Sequence, residues 1–214
     1  MTASTAETHR VPTLADYPNL TPEEMGRRFL KLIDSLKTID DLTPSTLDRV
    51  MKISFLPPPS QDWGGGAWFN MNLPDSGWFY SISFFESVHR PENKSVFFQF
   101  SNPSATQNAE GRHGDMGPVC GMDFDAYVTE LLRMGFVHRE DMATYDTFPA
   151  RALHPDPKTG EPVMDGPRSF RRPSWYFTRP HLLVRVDARA EAAQPDAKRN
   201  HACVERISVR RYDQ

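Results

Sequence analysis

Two stretches of the chain hold side chains whose types and spacing could do chemistry. In GRHGDMGPVC, residues 111–120, His113, Asp115 and Cys120 share one glycine-rich loop. Cysteine, histidine and aspartate are the vocabulary of nucleophilic catalysis, in which a base activates the thiol and an acid orients the base. A hydrolase or thiol enzyme using Cys120 and His113 is therefore one reading. No nucleophile signature surrounds Cys120, however, and catalytic groups assemble in space, not along the chain. The same residues read more readily as a mobile surface loop, and an ordered loop whose shape recognises a partner stands between the two.

The second stretch is RSFRRPSWYFTRPHLLVR, residues 168–185. Arg168, Arg171, Arg172, Arg179 and Arg185 interleave with Phe170, Trp175, Tyr176 and Phe177. Arginine beside large aromatics is the composition of protein–protein hot spots. It can also hold single-stranded nucleic acid by charge and stacking. The plain alternative is a strand whose aromatics are core and whose arginines are solvated. From these stretches Arg168, Arg171, Arg172, Trp175, Tyr176, Arg179, His113 and Asp115 are the candidate partner-binding residues.

Other constellations are weaker. Gly64, Gly65 and Gly66 lie between Trp63 and Trp68. A phosphate cradle needs glycines that follow a strand and open a helix, with Lys and Ser/Thr at set positions. These follow a proline-rich break and precede a strand, so they read as a bulge or loose lead into it, where positive φ is tolerated. His9, His89, His113, His138, His154, His181 and His201 are scattered without metal-ligand spacing. The pairs Glu23–Glu24 and Asp123–Asp125 sit at helix starts, where they favour the helix dipole. No cofactor is expected. Cys120 and Cys203 each stand at the edge of a predicted element. Two separate thiols and one disulfide are both open; a disulfide would imply an oxidising compartment.

The elements that must position these residues are readable from period and punctuation. The chain has 214 residues, of which 38% are hydrophobic, enough for one domain with a substantial core. Residues 1–20 read as a mobile arm. TPEEMGRRFLKLIDSL follows, with Thr21 as N-cap, Pro22 in the first turn, Glu24 completing a capping box, and Met25, Phe29, Leu32, Ile33 and Leu36 at helical spacing. Thr43 and Pro44 open a second, short helix that FLPPPS stops. AWFNMNL and GWFYSISFF flank the turn PDSG, and KSVFFQF adds a third strand, making an antiparallel meander with one buried face. A third helix runs from an Asp123 cap to a stop at Gly135. SWYFT with HLLVRVDAR, and then ACVERISVRRY, supply the remaining strands, with one short strand near Thr147–Ala152. The expected fold is α+β: residues 21–214 form one domain, with a mainly antiparallel sheet of about five or six strands and about three helices on one face. Long loops are expected near 101–119, 139–173 and 188–201.

Charge narrows the function classes. The net charge of −3 argues against a general nucleic-acid binder. It is unevenly placed: residues 166–214 hold 11 Lys+Arg against 5 Asp+Glu, a net of +6, and residues 1–165 hold 14 against 23, a net of −9. Such polarity can steer a charged partner. No run approaches the roughly 20 apolar residues of a membrane span. Residues 1–20 lack an apolar core of signal-peptide length, so the chain as written reads as cytoplasmic. The polar Thr/Ala-rich start would equally suit an exported protein with its leader removed.

The helical start LTPEEMGRRFLKLIDSL, the aromatic hairpin, CGMDFDAYVTELLRMGF and the late HACVERISV together resemble small proteobacterial immunity-type proteins, which neutralise toxins delivered between bacteria. The resemblance is one of layout, over roughly residues 20–210. It implies a non-catalytic binder whose partner is a toxin. Some such proteins are exported and carry a disulfide between cysteines placed like Cys120 and Cys203; this chain departs from them in showing no export signal. A nucleic-acid accessory protein is the remaining, weaker expectation.

Overall fold

The computed structural model describes residues 10–57, 66–102, 116–142, 153–155, 162–164, 174–190 and 202–212. Three α-helices lie where capping chemistry places them. In α1 (Pro22–Ser35) the Thr21 hydroxyl accepts from the Glu24 amide at 3.2 Å. The expected capping box is only half made, because the Glu24 carboxylate turns to Arg28 Nε at 2.7 Å instead. Helix α2 (Pro44–Met51) is capped in the same way by Thr43. Helix α3 (Phe124–Arg133) starts on Asp123, whose carboxylate accepts from the Ala126 amide at 2.8 Å. It ends at Gly135, which takes a φ of 82° that costs glycine nothing. The Gly135 and Phe136 amides donate back to the Leu132 and Leu131 carbonyls, closing the last turn.

The strands β1 (Ala67–Leu73), β2 (Trp78–Glu86), β3 (Lys94–Ser101), β4 (Val137–His138), β7 (Ser174–Arg179), β8 (Leu182–Ala190) and β9 (Ala202–Arg211) form one antiparallel sheet. Their order is β1-β2-β3-β9-β8-β7-β4, seven strands where five or six were expected. The extra one is β4, whose two residues are too few to show a period. The last strand enters the middle of the sheet and joins the N-terminal meander to the β7–β8 hairpin. The short strands β5 (Leu153–Pro155) and β6 (Pro162–Met164) pair separately. The short strand expected near Thr147–Ala152 lies outside the described residues, as do Trp63, Gly64 and Gly65.

Strand alternation gives the sheet two unlike faces. Phe177, Val184, Val209, Val96 and Phe84 stand side by side across five strands, all buried. This face meets the helices: Phe29 of α1 packs on Phe98 at 6.0 Å, and Phe98 touches Tyr80 and Phe100. Tyr80 reaches through the layer and donates its hydroxyl to the Leu20 carbonyl at 2.7 Å. Burial pushes the pKa of that phenol up, so it stays a donor.

Residues 10–20, read from sequence as part of a mobile arm, lie against the outer edge of β1. Thr13 bridges to Asn72, whose amide donates to the Pro12 carbonyl. Leu56 bridges to Trp68 on the same strand. An edge strand offers unpaired backbone groups, and these two segments take them up.

Candidate partner-binding surface

The two candidate stretches meet different fates. His113 and Asp115 lie outside the described residues, so nothing places them beside Cys120. Cys120 itself forms a disulfide with Cys203, with the Cα atoms 5.5 Å apart, and no described cysteine is free. A sulfur engaged in that bond is not the thiolate that nucleophilic chemistry needs. The bridge ties the segment before α3 to the start of β9, and Asp123 adds a backbone bridge to Cys203. Gly121 presses on the first turn of α1, where an added Cβ would overlap backbone atoms of Pro22 and Glu23. The first turn of α1, the start of α3 and the start of β9 thus converge on one corner of the fold.

The Arg/aromatic stretch does not form one surface. Arg168, Arg171 and Arg172 lie outside the described residues. From Ser174 onward the two-residue period of β7 sends neighbours to opposite faces. Trp175, Phe177 and Arg179 point to the helix side. Trp175 is 37% exposed and packs against Phe124 of α3 at 5.2 Å and His138 of β4 at 4.9 Å. Arg179 turns inward, donating to the carbonyls of Ile33, Leu36 and Met134 with its guanidinium over the Phe136 ring. Those carbonyls are the open ends of α1 and α3, and a cation suits them. Tyr176 points to the other face and is only 4% exposed.

That other face carries a constellation the sequence reading did not single out. The register aligns Ser83, Phe97, Ser208, Arg185 and Tyr176 in one row across the sheet. On either side of that row stand Gln99 with Arg206, and Phe85 with Ser95 and Arg210. Arg206, Arg210 and Phe85 are exposed, and the Arg206 guanidinium lies over the Phe97 ring at 4.8 Å from its centre. Arg210 makes no ion pair among the described residues. Arg185 is held in place: its Nε donates to Asp187 at 2.7 Å, and Ser174 donates to the same carboxylate at 2.7 Å. Towards β7 the same face is closed: Ser174, Tyr176, Thr178, Leu183 and Asp187 are all buried. The alternation Arg206-x-Ser208-x-Arg210 is the sequence signal that finds this face.

Among the described residues no group of three or more His, Cys, Asp or Glu is arranged to hold a metal ion, and no helix is long and apolar enough to cross a membrane. The fold and this face define an antiparallel α+β domain with one helix-covered side and one arginine-bearing side. Set against family models, curated proteins and solved structures, the chain matches none.

Proposed function

We propose that this chain is a non-catalytic protein-binding domain of the immunity type, which binds a toxin and neutralises it. The observation that carries this reading is the sheet face bearing Arg206 stacked on Phe97, with Arg210, Arg185 and Phe85 around them. Guanidinium groups braced by aromatic rings are what protein hot spots use, because such a group loses little freedom on binding. The resemblance of the helical start, the aromatic hairpin, residues 120–136 and residues 201–209 to immunity-type proteins supports the same reading. The Cys120–Cys203 disulfide supports an oxidising compartment as the place of action.

The test is capture of partners from source cells by tagged protein, with elution at stepped salt. A stoichiometric partner whose own activity falls on binding is the expected result. No stoichiometric partner, from an extract shown to contain the neighbouring gene products, overturns the reading. A partner bound without loss of its activity keeps the binder and removes the inhibitor.

A further inference from the structure

We propose that the cleft between residues 16–20 and the end of α2 binds a small zwitterion with an apolar body, a free amino acid or a short peptide. The cleft encloses about 570 Å³, inside the roughly 300–1,000 Å³ of small-molecule sites. Its floor is apolar, because Leu20, Ile53 and Phe69 are buried there. Phe69 belongs to the row Phe69, Ile82 and Phe98 on the helix-covered side of the sheet. The site therefore lies away from the arginine-bearing face and does not depend on the protein-binding reading. The exposed Tyr17 ring adds apolar surface on the wall made by residues 16–20.

The charges of the cleft decide what else the ligand carries. Asp16, Arg28, Asp48 and Lys52 line it. Asp16 is already answered by the Thr13 amide and by Arg10. Arg28 is answered by the Glu24 carboxylate and the Met51 carbonyl. Asp48 and Lys52 are exposed, and neither side chain makes an ion pair or hydrogen bond among the described residues. They stand four positions apart, the spacing at which a helix brings opposite charges together. Lys52 leaves the helix in the left-handed conformation, with φ 52°, so that contact is not made. One cation and one anion are thus left facing the same cleft. A ligand with a carboxylate and an ammonium answers both. A simple anion would meet Asp48, and a simple cation Lys52, as a like charge.

The experiment is calorimetric titration of the disulfide-bonded full chain with phenylalanine, leucylphenylalanine, N-acetylphenylalanine and phenylalaninamide. A zwitterion is expected to bind, and the two blocked forms should bind about tenfold more weakly or not at all. Tighter binding of phenylalanine assigns the cleft to a free amino acid, and tighter binding of the dipeptide assigns it to a peptide. Lys52→Gly removes the ammonium and suits the left-handed backbone, so it should keep or raise the urea midpoint while weakening the zwitterion about tenfold. If that variant fails to fold, Lys52→Gln takes its place. Asp48→Asn should weaken phenylalanine and leave N-acetylphenylalanine no weaker. Arg49→Gln, exposed on the same helix but outside the cleft, is the control and should change nothing. Bound zwitterion should also slow hydrogen exchange of the Asn72 amide, which bonds to Pro12 of the same N-terminal segment. Absence of zwitterion binding, N-acetylphenylalanine bound as tightly as phenylalanine, or affinity unchanged in Lys52→Gly overturns the proposal. Each of these outcomes leaves the protein-binding reading standing, since that reading is tested by capture of a partner.

Discussion

Arg179 of β7 donates a hydrogen bond to the carbonyl of Leu36, the residue that caps the C-terminal end of α1, 143 positions away in the chain. The same side chain reaches Met134 beyond α3 and covers the Phe136 ring. One guanidinium thus closes two helix ends against a sheet edge. Arg179→Ala should cost about 2–4 kcal/mol, since several carbonyls lose a charged donor together. Arg179→Lys should recover only part of this, because an ammonium lacks the planar fork. Urea unfolding measures both; a lysine variant as stable as the parent would show that charge alone suffices.

The disulfide closes a loop over a sequence separation of 83 residues. Chain-entropy reasoning assigns it about 4 kcal/mol. Paired Cys120→Ala and Cys203→Ala changes should lower the urea midpoint accordingly, and added reductant should do the same to the parent protein. Reductant that leaves the parent's midpoint in place would contradict this account. Thiol labelling of the folded, oxidised protein should find no reactive cysteine.

How much of this was legible in the sequence depends on range. Thr21, Thr43, Asp123 and Gly135 act on their own neighbours within a turn, so the helix ends could be read directly. The β1–β2 hairpin could be read for the same reason, since PDSG sets its turn. The insertion of β9 between β3 and β8 could not, because pairing partners so far apart leave no local mark. Arg179 looked like a surface arginine because the helix ends it serves are remote in sequence. The arginine face was divided between β8 and β9, so a search for one contiguous Arg/aromatic stretch passed over it.

Two glycines separate kinds of close approach. A Cβ on Gly121 would overlap backbone atoms of Pro22 and Glu23, whereas one on Gly26 would overlap the Tyr127 hydroxyl. Backbone cannot step aside as a side chain can. Gly121→Ala should therefore destabilise by about 1–3 kcal/mol or more. Gly26→Ala gains about 1 kcal/mol of helix propensity against its clash. Combined with Tyr127→Phe, which removes the overlapped oxygen, Gly26→Ala should recover stability. A double variant no better than Gly26→Ala alone would mean that the ring, not the hydroxyl, sets the limit.

Acid should loosen the strap on β1. Asp16 accepts from the Thr13 amide at 2.8 Å, from its hydroxyl at 3.0 Å and from Arg10. These bonds, the Thr13 amide foremost, hold its pKa below the ordinary 3.8. A carboxylate with a lowered folded pKa contributes its stabilisation above the unfolded value and loses it as pH falls through the folded one. The Asn72 amide, bonded to the Pro12 carbonyl, reports on this strap. Its hydrogen exchange, corrected for intrinsic rate, should quicken as pH drops below 3.8, and Asp16→Asn should reproduce the loss near neutrality. Unchanged Asn72 protection in Asp16→Asn would separate the strap from this carboxylate.

The Ser174–Asp187–Arg185 group supports the arginine face, and its two ends should not be equivalent. Asp187 is 4% exposed, while the Arg185 side chain is 30% exposed. Removing Arg185 leaves a buried carboxylate that keeps, among the described residues, the bond from the Ser174 hydroxyl. Removing Asp187 leaves a guanidinium that water can still reach. A buried charge without its partner is the costlier outcome. Arg185→Ala should therefore destabilise by about 2–4 kcal/mol, and Asp187→Asn by clearly less. The paired change should cost less than the sum of the two, because the second substitution removes the charge that the first stranded. Partner binding should order differently. Asp187→Asn leaves every cation in place and takes one of several partners from Arg185, which keeps its bond to Ser174, so affinity should fall only modestly. If the two single changes proved equally destabilising, the carboxylate would have another charge-balancing neighbour, and Arg185 would act at this face through its outward charge alone.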